Sequence, residues 1–317
     1  MARLLVIGSS NTDMTVRLPR LPGPGQTVLG GALFSGHGGK GANQAVAAAR
    51  AGGEVVFVTA VGDDPFGRAA LDACRREGVD VAHSRTLPGL SSGVALIFVG
   101  DEGENMIGVA PGANSALNVA DVAGLPSDLF ASDRLLLIGG LEVPLDVIEQ
   151  SLARASSALM PTVLNPAPFH LELVASRMLS DVDVLTPNRI ELGQLAGMDI
   201  DSDDDVIRAC EAVQERAPRL NLVVTLGARG CLLRTNDGRI VKLAAHRVEA
   251  LEAVAAGDAF NGALAVALAE GRVLSEAASW ANAAAALAVT RIGAQSSLPT
   301  RAAIDRQFDA SHPGKSL

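Results

Sequence analysis

Short apolar runs ending in glycine or polar residues recur along this chain and alternate with longer, alanine-rich stretches. Leu4-Leu5-Val6-Ile7-Gly8, Val55–Val61, Leu135–Ile138, Thr162–Leu164, Val182–Leu185 and Leu222–Leu226 have the length and bounds of buried strands. Helical stretches follow most of them, which predicts a mainly parallel sheet covered by helices on both faces. A chain of 317 residues can form one large α/β domain or two smaller ones. Nearly half of it is apolar, enough for a sizeable core. With eight Phe, one Trp and no Tyr, packing falls to Ala, Val and Leu.

Some segments stand outside this alternation. Met14–Leu18 and Thr27–Phe34 flank the breaker-rich Pro19–Gly25, and Val94–Val99 and Asn105–Val109 flank an acidic tip, Gly100–Glu104. Both read as strand pairs, together a small sheet beside the main one. Cys231–Arg234 and Ile240–Leu243 form a hairpin on Asn236-Asp237-Gly238. Val273–Arg291 reads as two helical faces, and a last helix runs to about Phe308. No repeat or linker marks a boundary, so residues 1–310 read as one domain, with 311–317 a disordered tail.

Composition narrows the function. A net charge of −9 without a Lys/Arg run excludes a nucleic-acid surface. No apolar run approaches a membrane span, and the apolar start is too short for a signal peptide. The three cysteines, Cys74, Cys210 and Cys231, have no pairing or metal spacing, which fits a reducing, cytoplasmic setting. The five histidines have no metal spacing either.

Ala255-Ala256-Gly257-Asp258 opens an apolar run to Glu270, about four helical turns. A helix start offers unpaired N–H groups and the positive end of the dipole, which together hold an anion such as phosphate. Asp258 there can cap the helix, or take a proton from a hydroxyl attacking a phosphate. Ser9–Asp13 and Glu142 lie just past strand ends, where α/β proteins bind ligands. Gly36-x-Gly38-x-x-Gly41 matches the dinucleotide fingerprint but does not follow the first strand of a βαβ unit, and Lys40 lacks the Ser or Thr of a phosphate loop. What remains is a glycine turn carrying Lys40 and Asn43 at a helix start. Asn188 and Glu191 share one helix face, which suits a hydrated Mg²⁺ or phosphate, or a capping box. Asp199–Asp205 fails the calcium-loop pattern at positions six and twelve and reads as a helix N-terminus.

Four ordered motifs carry a more specific likeness: Gly38-Gly39-Lys40-Gly41-Ala42-Asn43-Gln44-Ala45, Gly103-Glu104-Asn105, Thr186-Pro187-Asn188 with Glu191, and Ala256-Gly257-Asp258-Ala259-Phe260. With them the chain resembles the ribokinase/PfkB carbohydrate kinase family over nearly its whole length. The resemblance implies a ribokinase-like α/β three-layer sandwich whose small β lid is inserted at about 14–34 and 94–109. It implies ATP-dependent phosphorylation of a sugar's primary hydroxyl, O5 in ribose. Asn11, Asp13, Gly39, Lys40, Gly41, Asn43 and Glu142 would then hold the sugar. Asn188, Thr225, Gly227, Ala228, Arg229, Gly230 and Asn282 would hold ATP, and Glu191 would organise Mg²⁺ through water. Asp258 would be the base, with the amides of Ala256 and Gly257 an anion hole. The resemblance also implies a homodimer through the lid.

One departure concerns the activating monovalent cation. Family members carry Asp-Thr where this chain has Glu252-Ala253. K⁺ would be held by Glu252 and Ser297 with the carbonyls of Val254, Ala288, Arg291 and Gly293. Alternatives are a kinase for deoxyribose, another sugar or a nucleoside, a non-catalytic binding regulator on the same scaffold, and a dehydrogenase.

Overall fold

The computed structural model describes residues 1–311. An eight-stranded sheet forms its centre, in the order Ile240–Leu243, Cys231–Arg234, Asn221–Thr225, Val184–Leu185, Thr162–Leu164, Leu135–Gly139, Arg3–Gly8, Glu54–Val58. The strands are parallel except around Cys231–Arg234, which runs antiparallel to both neighbours. Alternate side chains face opposite layers, as the two-residue strand period requires. Leu4, Val6, Val55, Phe57, Leu135 and Leu137 pack under helices Lys40–Arg50, Ala256–Ala269 and Leu274–Ala288. Leu5, Ile7, Val56, Val58, Leu136 and Ile138 pack under Leu145–Ser157, Arg189–Ala196 and Asp203–Arg216. This is the expected three-layer α/β sandwich.

Several boundaries differ from the sequence reading. The lid strands are Asn11–Leu18, Leu33–Gly38, Gly93–Gly100 and Asn105–Ala110, so the insertions are wider than 14–34 and 94–109. Ser35-Gly36-His37-Gly38, expected as a turn, is strand, and Thr27–Leu29 is not. Val55–Val61 breaks at Thr59. Its second part, Ala60–Gly62, pairs with Arg85–Leu87. Val273–Arg291 forms one helix, Leu274–Ala288. The tail expected at 311–317 lies outside the described residues apart from Ser311, which closes the helix Arg301–Ser311.

The order of the main sheet reverses between Arg3–Gly8 and Leu135–Gly139, whose ends pair Gly8 with Gly139. Helix Lys40–Arg50 begins directly on this reversal point. A Cβ on Gly41 would stand 2.5 Å from the Gly8 carbonyl carbon, and one on Gly139 would stand 2.8 Å from the Gly41 Cα. Backbone therefore packs on backbone there, and no side chain fits between. Further along, a Cβ on Gly262 would meet the Ala47 Cβ at 2.5 Å and the Gln44 carbonyl oxygen at 2.8 Å. The two helices that flank the reversal point are thus locked at close range.

This contact is testable by stability. Gly262→Ala should cost about 1–3 kcal/mol through overpacking. A Cβ on Gly257 meets no atom within 4 Å, so Gly257→Ala should be neutral or slightly stabilising. Urea midpoints that moved equally for the two variants would contradict the close contact.

Candidate active site

The carboxyl ends of parallel strands at a topological switch point form the ligand crevice of open α/β sheets. Here that crevice receives Asp258 from the helix opposite. Ala255 precedes the helix with left-handed backbone, φ 58° and ψ 8°, which costs a non-glycine residue about 1 kcal/mol. Ala255 occupies the cap position, so Asp258 is the third helical residue and does not cap the helix. Its side chain is buried. Oδ2 accepts from Asn43 Nδ2 at 2.9 Å and Oδ1 from Gln44 Nε2 at 3.0 Å. Burial pushes its pKa up. The Lys40 charge and the two amide hydrogen bonds oppose that rise, and the Glu142 charge adds to it. The first-turn amides beside it lack intrahelical acceptors, as at any helix start.

On one side of Asp258 stand Asn11, Asp13, Lys40, Asn43 and Glu142, which the fold brings to one crevice. Glu142 Oε2 accepts from the Lys40 amide at 3.2 Å and from the Ser9 hydroxyl. Asp13 lies at the base of the lid. Burial, then repulsion from Glu142 and Asp258, pushes its pKa up to about 6, against the pull of Lys40. Asn11 Oδ1 accepts from Asn114 Nδ2 at 2.8 Å, which turns the Asn11 amide nitrogen away from Asn114. Asn114 is clamped in turn by Ser10, whose amide donates to its Oδ1 at 2.9 Å. Gly39 precedes the helix as its cap.

Other expected residues line the neighbouring strand ends. Asn188 and Glu191 form a capping box. Asn188 Oδ1 accepts from the amides of Ile190 and Glu191, and Glu191 Oε2 accepts from the Asn188 amide at 2.8 Å. Glu191 is buried, which raises its pKa against the Asn188 bond and the Lys40 charge. The Thr225 amide donates to the Pro187 carbonyl at 2.9 Å, so the segments of Asn188 and Thr225 lie side by side. Gly227–Arg229 makes one 3₁₀ turn, closed by Leu226 N–H to the Gly230 carbonyl at 2.8 Å. Arg229 pairs with Asp203 at 2.7 Å, and Lys242 shares that carboxylate at 2.9 Å. Asn282 is buried with its Nδ2 3.4 Å from Cys231 Sγ, just after that turn.

Glu252 reaches the segment expected to share a cation with it. Its Oε2 accepts from the Gly293 amide at 2.6 Å, and its own amide donates to the Val289 carbonyl at 3.2 Å. Ser297 is fully buried and donates to the Ala294 carbonyl at 2.8 Å, leaving its hydroxyl oxygen as an acceptor. The donor set of one carboxylate, one hydroxyl and several carbonyls suits a large monovalent cation. Among the described residues no cluster of three or more His, Cys, Asp or Glu side chains could hold a metal ion.

Sequence reasoning passed over Gln44, Asn114, Asn165, Thr186 and Asn261 as site residues. All five are buried and hydrogen-bonded in or beside the crevice. Gln44 stands one turn after Lys40 inside the first motif, and Asn165 and Thr186 each follow a strand end. Position was the available signal for these three.

The pattern of the pfkB family carbohydrate kinases matches residues 1–301. The chain is 38% identical over 299 residues to the ribokinase of Haemophilus influenzae, covering 94% of this chain and 95% of that protein. It is 35% identical over 297 residues to the deoxyribokinase of Salmonella typhi, with 94% and 95% covered. The structure of Arabidopsis thaliana ribokinase complexed with ribose and ATP superposes with a TM-score of 0.85 at 27% identity, covering 97% of this chain and 99% of that one. The fold, the crevice and these likenesses agree: the chain belongs to the pfkB carbohydrate kinase family.

Proposed function

We propose that this kinase transfers the γ-phosphoryl group of ATP to O5 of D-ribose, with Asp258 as general base. The observation that carries this reading is the placement of Asp258. Its carboxylate lies buried at a helix start and is bound only by neutral amides among the described residues. Each oxygen keeps a lone pair for a hydroxyl. As O5 attacks, Asp258 takes its proton, while the Gly257 amide, and the Ala256 amide on leaving its long 3.4 Å bond to the Ala253 carbonyl, stabilise the charge on the transferring group. Phosphoryl transfer needs such positioning and charge stabilisation more than covalent chemistry.

Asn11, Asp13, Gly39, Lys40, Gly41, Asn43 and Glu142 bind the sugar in this reading. Because Asn114 takes the Asn11 carbonyl, Asn11 offers a donor while Asp13, two residues along the strand, offers an acceptor. A vicinal diol satisfies both, which favours ribose over deoxyribose. Asn188, Thr225, Gly227, Ala228, Arg229, Gly230 and Asn282 line the ATP side. Glu191 suits Mg²⁺ held mostly by water and phosphate, because one carboxylate oxygen holds the cap and the other accepts no hydrogen bond among the described residues. Mg²⁺ there would neutralise phosphate charge. K⁺ fits at Glu252 and Ser297 with the carbonyls of Val254, Ala288, Arg291 and Gly293. The Glu252 bond to Gly293 already joins two of these segments, so K⁺ acts as a modest activator. Three buried, unpaired cysteines support a cytoplasmic setting. Leu33, Leu96 and Met106 are exposed on one face of the lid sheet and Phe34, Ile107 and Val109 on the other, and this apolar surface supports a homodimer through the lid.

An ATP-consumption assay against pentoses, hexoses and nucleosides, with and without K⁺, tests the chemistry. Ribose should lead deoxyribose by at least about 10-fold in kcat/KM, the scale of one lost polar contact. K⁺ should add no more than a few-fold. Asp258→Asn should fold and lose roughly 10²–10⁴ in kcat. Turnover of no sugar, or near-wild-type activity in Asp258→Asn, would contradict the reading.

Asp13 makes the sugar-free protein pH-dependent. Its folded pKa of about 6 exceeds the ordinary 3.8, so its contribution to stability is full below the ordinary value and is lost as pH rises through about 6. Asp13→Asn should therefore gain about 2 kcal/mol relative to wild type between pH 4 and 7, while raising KM for ribose. Parallel stability curves would contradict this. For the dimer, light scattering should give about twice the chain mass of 32.4 kDa. A monomer at assay concentrations would remove it.

A further inference from the structure

We propose that Gln44 and Asn165 are positioning residues for phosphoryl transfer, acting within a closed ring of hydrogen bonds that fixes Asp258 and the first turn of its helix. The inference rests on the reading of Asp258 as the base. Gln44 Nε2 donates to Asp258 Oδ1 and to Asn165 Oδ1, both at 3.0 Å. Asn165 Nδ2 donates to the Thr186 carbonyl at 3.2 Å, and the Thr186 hydroxyl donates to Asn261 Oδ1 at 2.6 Å. Asn261 Nδ2 then donates to the Gly257 carbonyl at 2.8 Å, and Gly257 is bonded to Asp258. The ring joins the helix Lys40–Arg50, the ends of two adjacent strands, Thr162–Leu164 and Val184–Leu185, and the helix Ala256–Ala269.

From Gln44 the donors run one way through Asn165, Thr186 and Asn261 to Gly257, and Gln44 Nε2 donates the other way to Asp258. The Asn165 oxygen is committed to Gln44, so its nitrogen faces Thr186. The Asn261 oxygen is committed to Thr186, so its nitrogen faces Gly257. Turning one amide would set like against like at the next contact. Water cannot readily take over a lost partner, since Gln44 is 0% exposed and Thr186 and Asn261 are each 2% exposed. Every member except Asp258 is uncharged. The ring can therefore aim the carboxylate without pairing it to a cation, which would lower its basicity. The charges facing Asp258 are Lys40, Glu142 and Asp13. All three come from the sugar side of the crevice and none from the ring.

The test uses Gln44→Met, Asn165→Ala and the double variant with ATP and ribose, beside wild type and Asp258→Asn. Gln44→Met removes a donor to the carboxylate while keeping side-chain length. It should lower kcat on the order of 10–100-fold, leave KM for ribose within about twofold, and move the acid limb of kcat to higher pH. Asn165→Ala should act in the same direction and more weakly, and the double variant should be no worse than Gln44→Met alone, because Asn165 acts through Gln44. Folded variants with wild-type kcat and an unmoved acid limb, or an additive double variant, would overturn the proposal. If Gln44→Met does not fold, Gln44→Glu serves. A second carboxylate beside Asp258 should move the acid limb up further still, and an unmoved limb overturns the proposal. Full activity in Asp258→Asn would overturn the base and the ring together. Its loss, with Gln44 and Asn165 variants unaffected, would overturn the ring alone.

Discussion

The carboxylate of Asp258 sits at the start of a helix with 8% of its surface exposed, and burial works to protonate it. Two amide donors and the field of Lys40 work the other way. That balance organises the crevice. A carboxylate in water, with an ordinary pKa near 3.8, would be a weak base toward a hydroxyl. One neutralised by a bonded cation would be weaker still. A buried carboxylate supported by neutral amides gains basicity without a bonded cation to lower it.

This arrangement depends on how closely the backbone packs. Asn43 and Gln44 reach Asp258 because helix Lys40–Arg50 starts directly on the ends of two strands, over Gly8 and Gly139. Gly262 then lets the helix of Asp258 approach Ala47 at contact distance. Small residues therefore serve the chemistry indirectly by setting how near two polar helix starts can come. The scarcity of aromatic residues and the many buried alanines have the same consequence, since thin helices can pack tightly above the sheet.

Much of this was legible in the sequence, and the misses have physical reasons. The buried strands stood out because apolar runs bounded by glycine or polar residues have few other uses. The lid boundaries were misplaced because Ser35-Gly36-His37-Gly38 has no apolar alternation, although its backbone pairs with Asn11–Met14. Val55–Val61 read as one strand because the break at Thr59 leaves the apolar pattern intact. Asp258, Lys40, Asn188 and Glu191 were found by motif, and the fold gathers Asp258 and Lys40 at one crevice. Gln44 and Thr186 stood inside those motifs, yet they, Asn165 and Asn261 did not stand out as site residues, because a side-chain amide or hydroxyl carries no periodic signature. Its partners lie far off in sequence, 214 residues for Gln44 and Asp258.

The account rests on one contact that can be measured directly. A crystal structure with D-ribose and a non-hydrolysable ATP analogue should place O5 within about 2.6–3.2 Å of an Asp258 oxygen, in line with the γ-phosphorus, with the Gln44 hydrogen bond kept. A sugar whose O5 is held elsewhere, with Asp258 bound only to Asn43 and Gln44, would contradict it.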